Sequence, residues 1–179
     1  MDWTPENRVS TIVALHAIGD AFSKGGTVPL DVYEALAPCF KKISTEFVLF
    51  GRGESVWLAT RPENSDDPYS GQAHFPGVTH RARETEEAAW QRLVRSELGP
   101  HVHLDGPHFI DMKESLEPQR GLYQMRIHGA RLLDSEMRGI GKGAFYWLDD
   151  LPLDKMVTSH VSIVLPTALP FARKCGWIK

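Results

Sequence analysis

The sequence has only two cysteines and no excess of basic residues, and each of these shortages excludes a class of protein. Cys39 and Cys175 lie far apart and form no CxxC pair, so we expect no cysteine metal or redox site. Two reduced thiols are typical of a cytoplasmic protein. The chain carries 20 basic and 23 acidic side chains, for a net charge of −3, which gives no indication of nucleic-acid binding.

Long apolar runs are also lacking. The longest ones, 10–22 and 161–171, are too short or too interrupted to span a bilayer. The first ten residues have Asp2 and no apolar segment behind a basic start, so we expect no secretory signal peptide. With 42% hydrophobic and 24% charged residues, the 179-residue chain is typical of one globular domain with a sizeable core.

The first 44 residues predict a helical extension. Thr4 is a potential N-cap before Pro5, and apolar residues then recur every three or four positions until the glycines at 25–26. A second helical segment, 28–43, is kinked or stopped before Pro38. This hairpin either covers the main sheet or mediates a homodimer, and the sequence leaves both open.

From Thr45 the pattern changes to short β-type runs. The segments 47–50 and 55–61 flank a Gly-Arg-Gly-Glu turn and predict a hairpin. Further strands are predicted at 101–104, 107–115, 121–133 and, ending at a turn, 144–152. The final segment, 153–175, is helical, and we expect Pro166 or Pro170 to break it. The order indicates an α+β layered fold with a mostly antiparallel sheet.

One helix is inserted among these strands, from about 86 to 98. Thr85 is its N-cap, and Gly99 ends it. Helical spacing places Leu93 and Glu97 in one stripe, and a second stripe containing Trp90 is expected to enter the core.

This helix and the loop before it resemble the Nudix box, whose pattern is G-x5-E-x7-R-E-U-x-E-E-x-G-U, where U is a bulky apolar residue. Glu84 and Arg92 have the required seven residues between them, and Arg92 and Gly99 also keep the family spacing. Gly77 survives from the glycine pair at the entrance, and Glu97 from the final carboxylate pair. The similarity continues over residues 46–153.

The resemblance implies one Nudix-like domain: an α/β/α sandwich with a mixed sheet at 45–153, a helical extension at 1–44 and a C-terminal helical segment at 154–179. It implies cleavage of a diphosphate in a nucleoside diphosphate linked to another moiety, with Mg²⁺ or Mn²⁺. Glu97 would be catalytic and bind the metal, and Glu136 resembles a late catalytic glutamate. Glu84, Arg92, Gly77 and Gly99 would brace the box.

Substrate contacts are implied at three positions near the variable loop: Arg61 at a strand end, and Tyr69 and Phe75 as rings for stacking. The ligand would be a small nucleotide or diphosphate, with no membrane or nucleic acid involved.

The sequence also departs from the family pattern. Val78 replaces the box glycine, Leu93 and Ser96 replace two of three metal-binding glutamates, and Pro100 replaces the final apolar residue. Two negative charges are thereby lost, so a weakened metal site is expected unless Glu86, Glu87 or Glu136 is recruited.

Three functions remain open. They are a metal-dependent hydrolase, a Nudix-fold nucleotide-binding or regulatory protein that has lost catalysis, and a partner-binding module that acts through its N-terminal helices.

Overall fold

The computed structural model describes most of the chain. The described residues are 4–24, 29–36, 40–63, 68–81, 83–99, 101–117, 121–133 and 140–179. Among the residues singled out above, Pro38, Cys39, Pro100 and Glu136 lie outside these ranges.

Helices occur before, within and after the sheet. In the described ranges the α-helices are α1 (Pro5–Ser23), α2 (Leu30–Leu36), α3 (Glu86–Leu93) and α4 (Leu165–Lys174). A π-helical turn, Val94–Leu98, extends α3, and a second one, His160–Val164, leads into α4. The predicted helix at 86–98 is therefore confirmed, with a wider last turn than expected.

The strands form one mixed sheet. Within the described residues they are β1 (Lys42–Phe50), β2 (Ser55–Thr60), β3 (Ala73–His74), β4 (Gly77–Thr79), β5 (Leu104–Glu117), β6 (Gly121–Leu132) and β7 (Gly143–Trp147). The main order is β3-β2-β1-β6-β5, with β4 paired to β1 and β7 to β2. Only the β1–β6 pairing is parallel among these described pairs.

Both faces of the sheet are covered. Successive side chains of a strand point to opposite faces, so Phe47 and Leu49 pack in the cluster that contains Leu93 of α3. Val48 and Phe50 pack in the opposite cluster, which includes one side of α4. Burial on both faces explains the unbroken apolar run of β1, and the predicted α+β sandwich is confirmed.

Three predicted elements differ from the structure. Helix α2 ends at Leu36, and 42–43, predicted as helix, begin β1 because this strand pairs with β6 from Lys42 onward. The strands predicted at 101–104 and 107–115 are one strand, β5, because irregular pairing with β6 carries it past Pro107. The predicted helical segment at 153–175 is broken, but not at its prolines: the short 3₁₀ turn Leu153–Lys155 ends at Met156, which bridges to Ala73. Pro166 lies in the first turn of α4, where its missing N–H is tolerated, and α4 continues past Pro170.

Helix α1 does not cover the sheet. None of its described residues is buried, and Val9 and Val13 are 62% and 63% exposed. No described helix is long and apolar enough to cross a membrane.

Candidate functional site

A partly buried ion pair fixes the loop that precedes α3. Arg92 donates from Nε to Oε1 of Glu84 at 2.8 Å and from its terminal nitrogen to Oε2 at 2.7 Å. The same nitrogen donates to the carbonyl oxygen of Thr79 at 2.9 Å. The hydrogen bonds from Arg92 lower the pKa of Glu84 to about 2. This fork therefore ties the loop between β4 and α3 to the helix itself.

The N-terminus of α3 is capped by side-chain and backbone contacts. Thr85 accepts a hydrogen bond from the N–H of Ala88 at 3.2 Å. The last turn ends at Gly99, whose φ of 104° is a conformation that side chains rarely adopt. Thr85 therefore sets the start of the helix and Gly99 sets its end.

The π-helical turn decides which side chains of this helix enter the core. Its hydrogen bonds join residues five apart and widen the turn, and Leu93 and Leu98 are both 1% exposed. Leu93 packs in the apolar cluster with Phe47 and Trp57, whereas Trp90 is only half-buried. The predicted core stripe is confirmed for Leu98 and for Trp90, whose ring packs edge-on against Phe47. Leu93 is buried in the same cluster, so it belongs to the core and not to a face shared with a metal site.

The carboxylates near Glu97 do not assemble into a metal site. Ser96 is exposed and donates to the carbonyl oxygen of Leu93 at 3.1 Å. Glu86 contacts Arg126 at 2.5 Å and His128 at 3.0 Å, and Glu87 accepts from Gln91. Across the described ranges, no group of three or more His, Cys, Asp or Glu side chains could hold a metal ion. The described residues do not fit a resident Mg²⁺ or Mn²⁺.

Glu97 instead lies beside a basic residue at the end of β2. Burial raises its pKa, and the positive charge of Arg61 partly opposes that shift. Gly141 packs against the backbone of Glu97, since a Cβ there would come within 1.8 Å of its carbonyl oxygen. Glu97 is thus a half-buried acid under the influence of the Arg61 charge, and its backbone is tightly packed.

A cleft opens next to Arg61, between the sheet and the start of the C-terminal helix. Its polar lining consists of Glu46, Arg61, Tyr69, His74, Thr79, Glu117, Ser159 and His160. The cavity of this cleft measures about 90 Å³. Pockets that enclose a whole small ligand measure roughly 300–1,000 Å³, so the cleft has room for one group of a ligand.

Glu46 forms the floor of the cleft. It lies on β1 opposite Gly77 of β4, and a Cβ at Gly77 would come within 2.2 Å of its Oε2. Nε2 of His160 lies 3.4 Å from the same oxygen. The backbone N–H of Phe75 donates to Nδ1 of His160 at 2.9 Å. The absence of a side chain at Gly77 therefore makes room for a buried carboxylate.

A second acid, Glu117, lies at the end of β5 on the same cleft. Burial disfavours its ionisation, but hydrogen bonds from Tyr69, Ser159 and Ser115 outweigh that effect and lower its pKa. Arg61 lies 5.7 Å from the centre of the Tyr69 ring, within cation–π range. The side of the cleft near Arg61 therefore combines a cation with an aromatic ring.

His74 is a neutral side chain of the lining. Its Nδ1 lies 2.8 Å from the carbonyl oxygen of Phe75, so that nitrogen carries the ring proton. Burial lowers the pKa of His74 to about 4. The ring of Phe75 is fully buried and stacks on His160 at 5.8 Å. Phe75 thus supports the cleft from behind, and Tyr69 is the half-buried ring at its surface.

The site residues predicted from sequence fall into two groups. Arg61, Tyr69, Phe75 and Gly77 line one cleft, and Glu97 is close enough to Arg61 to feel its charge. Glu84, Arg92 and Gly99 lie on the loop and helix, and Glu136 is outside the described residues. Sequence reasoning missed Glu46, Glu117 and His160; the only signal was an acidic residue next to the apolar run of β1.

Comparisons with known proteins agree on the architecture. No family model matches the sequence, and no curated protein sequence matches it. Among solved structures, a MutT NUDIX hydrolase from Burkholderia pseudomallei is similar at 19% identity and a TM-score of 0.55, covering 72% of this chain and 98% of its own. A mutT/nudix family protein from Listeria innocua has 14% identity and a TM-score of 0.58, covering 75% and 96%.

A third similar structure was solved with a ligand. It is the NUDIX domain of Shewanella oneidensis NrtR complexed with ADP ribose, at 16% identity and a TM-score of 0.54, covering 80% of this chain and 99% of its own. At these identities the likeness concerns the fold, and it extends over nearly the whole length of each of these structures. This chain has the Nudix fold.

Proposed function

We propose that this protein binds a nucleotide or another diphosphate-containing small molecule in the cleft of Arg61 and Glu46, without a resident divalent cation. The observation that carries the proposal is how the structure places the residues at the three metal-binding positions of the box. Leu93 is buried in the core and Ser96 bonds to the backbone, which leaves Glu97 beside Arg61. The scaffold of the box is kept while two of its three metal-binding glutamates are replaced.

The two ends of the cleft differ in charge and so orient a ligand. Arg61 offers a cation to a phosphate, next to the ring of Tyr69. Glu46 offers carboxylate oxygens, which repel phosphate and accept hydrogen bonds, whereas Glu117 already accepts a hydrogen bond from Tyr69. The diphosphate is therefore placed at the Arg61 end, and the uncharged part of the ligand at the Glu46 end. The ADP ribose bound to the NrtR domain supports a ligand of this class.

Binding is tested by calorimetry in EDTA with ADP-ribose, ADP and guanosine diphosphate. We expect at least one to bind, and Arg61→Met to weaken it about tenfold or more through the loss of a charge-assisted contact. The control is Arg52→Met, which removes an exposed arginine from the turn before β2. No binding of any of the three, or equal losses in both variants, would contradict the proposal.

A second candidate is a Nudix-type diphosphohydrolase. The observation that favours it is Glu97, a half-buried acid whose pKa is raised by burial and which lies near Arg61. The test is product release from nucleoside diphosphates linked to another moiety, with Mg²⁺ or Mn²⁺ added. If this candidate holds, we expect the wild type to turn over at least one of these compounds and Glu97→Gln to abolish that turnover. If the wild type turns over none of them, the hydrolase candidate is wrong.

We also propose a homodimer that forms through α1 and a reducing, cytoplasmic location. Helix α1 has 19 residues and exposes the stripe of Val9, Ile12 and Val13, and helices in proteins gain most of their stability by packing such side chains against a neighbour. A second copy offers exposed apolar side chains on the edge strand β5, including Phe109 and Leu116. The free, exposed thiol of Cys175 supports a reducing compartment.

A further inference from the structure

We infer that Glu46 is the specificity-determining residue of the cleft and that it selects a ligand group with two adjacent hydrogen-bond donors. Such a group is the N–H edge of a guanine-type base or the vicinal hydroxyls of a ribose. The inference rests on the proposed binding function and adds to it the chemistry of the group that enters the cleft.

The first step is the proton on His160. Its Nδ1 accepts the backbone N–H of Phe75 at 2.9 Å, so Nδ1 carries no proton. In the neutral ring the proton is therefore on Nε2, which lies 3.4 Å from Oε2 of Glu46. The imidazole presents an N–H, and not a lone pair, to the carboxylate. His160 thus faces Glu46 with a donor at ion-pair distance, and no hydrogen bond joins the two side chains.

The second step is the confinement of Glu46. The residue is 9% exposed, and its carboxylate lies against the backbone of Gly77, where no other residue would fit. No other hydrogen bond or ion pair to Glu46 occurs among the described residues, and it lines the cleft. Among the described residues Oε1 has no partner and Oε2 has only the 3.4 Å ion-pair contact with His160, so both oxygens can accept from a ligand.

The third step distinguishes Glu46 from the other acid of the cleft. Glu117 already accepts from the hydroxyls of Tyr69 and Ser115 and is bonded by Ser159. Its lone pairs are largely occupied by the protein, whereas Glu46, which lines the same cleft, accepts no hydrogen bond from another described side chain. Glu46 is therefore the acid whose oxygens accept hydrogen bonds from the ligand and select it.

The chemistry follows from a carboxylate that only accepts. A guanine edge offers N1–H and an amino group side by side, and a ribose offers two hydroxyls, so either can bind a carboxylate with two hydrogen bonds. The same edge of adenine presents a lone pair at N1 and is disfavoured, because two acceptors would face each other in a buried place. A phosphate is excluded by like charge.

Four ligands separate the two sources of donors: guanosine diphosphate, inosine diphosphate, ADP and 2′-deoxyguanosine diphosphate. If the base enters, we expect guanosine diphosphate to bind about tenfold or more tightly than ADP, with inosine diphosphate between them. If the ribose enters, the bases rank equally and the 2′-deoxy compound binds about tenfold more weakly. Either ranking supports the inference.

The decisive variant is Glu46→Gln, measured by calorimetry against all four ligands in EDTA. The N–H of His160 orients the amide oxygen toward itself, so the amide NH₂ faces the cleft. We expect the preference found in the wild type to fall to about one or to reverse. Ser44→Ala is the matched control, because Ser44 is a buried polar residue on the same strand and does not line the cleft.

Two variants of His160 test its positioning role. His160→Gln keeps an N–H near the place of Nε2, and His160→Asn keeps an acceptor near the place of Nδ1. We expect His160→Gln to retain more of the ligand preference than His160→Asn at similar melting temperatures. If His160 acts only on stability, both variants should keep the ligand preference of the wild type.

The failures of the two proposals are distinguishable. If none of the ligands binds, the proposed function is wrong and this inference falls with it. If ligands bind and Arg61→Met weakens them, but the wild type ranks them equally or Glu46→Gln keeps the wild-type ranking, only the role of Glu46 is overturned.

Discussion

The ion pair between Glu84 and Arg92 couples the stability of the fold to pH. The pKa of Glu84 is lowered from 4.5 to about 2 by hydrogen bonds from Arg92. A carboxylate with a depressed pKa contributes stability that is complete above its unfolded pKa and is lost as pH falls through the folded value. The contribution is therefore present at pH 7 and disappears between about pH 5 and pH 2.

The corresponding prediction concerns Glu84→Gln. We expect this variant to lower the free energy of unfolding by about 1–3 kcal/mol at pH 7, and the difference from the wild type to shrink as pH falls toward 2. Urea unfolding at pH 7, 4 and 3 measures it. The control is Glu87→Gln, on the first turn of α3, where the carboxylate accepts from Gln91. A difference that stays constant from pH 7 to pH 3 would contradict the linkage.

At the scale of the element, the sequence predicts where the helix α3 begins and ends, but it does not predict the π-helical form of its last turn. Thr85 and Gly99 bound the helix through local chemistry that a sequence displays directly. The π-helical turn depends on Leu93 and Leu98 both packing in the same apolar cluster, a tertiary effect that overrides the spacing of an ordinary helix. The same limit applies to Glu46, whose burial depends on His160, far along the chain.

The π-helical turn makes opposite predictions for the two positions where box carboxylates are missing. We expect Leu93→Glu to destabilise the protein by at least about 3 kcal/mol, because it places a charge among buried apolar side chains. Ser96 is exposed, so Ser96→Glu should change stability by less than about 1 kcal/mol. Thermal unfolding of both variants measures the contrast.

This contrast also decides how a metal site could be rebuilt. Of the two changes, only Ser96→Glu adds a carboxylate next to Glu97 without disturbing the core. We therefore expect Mn²⁺ titration to show tighter metal binding by this variant than by the wild type. Equal melting temperatures for Leu93→Glu and Ser96→Glu would show that Leu93 is not held in the core.

At the scale of the whole molecule, the sheet and its two covering layers account for the buried side chains, but they leave α1 unexplained. Patterns of period two and 3.6 were enough to predict the α+β class, because each strand and helix has one face that must be buried. For α1 the same pattern indicates a stripe that the described part of the chain leaves exposed. The missing contact is intermolecular if the homodimer proposal holds.

The homodimer is tested on α1 itself. We expect light scattering after gel filtration to give twice the 20.1 kDa of the chain. Replacing Val9 and Val13 together by serine removes two side chains from the stripe of each copy and should weaken the dimer about tenfold or more. Ala14→Ser, on the far side of the helix, is the control. A wild type that remains monomeric at high concentration removes the dimer, and ligand binding in the cleft should then persist unchanged, because no residue of α1 lines it.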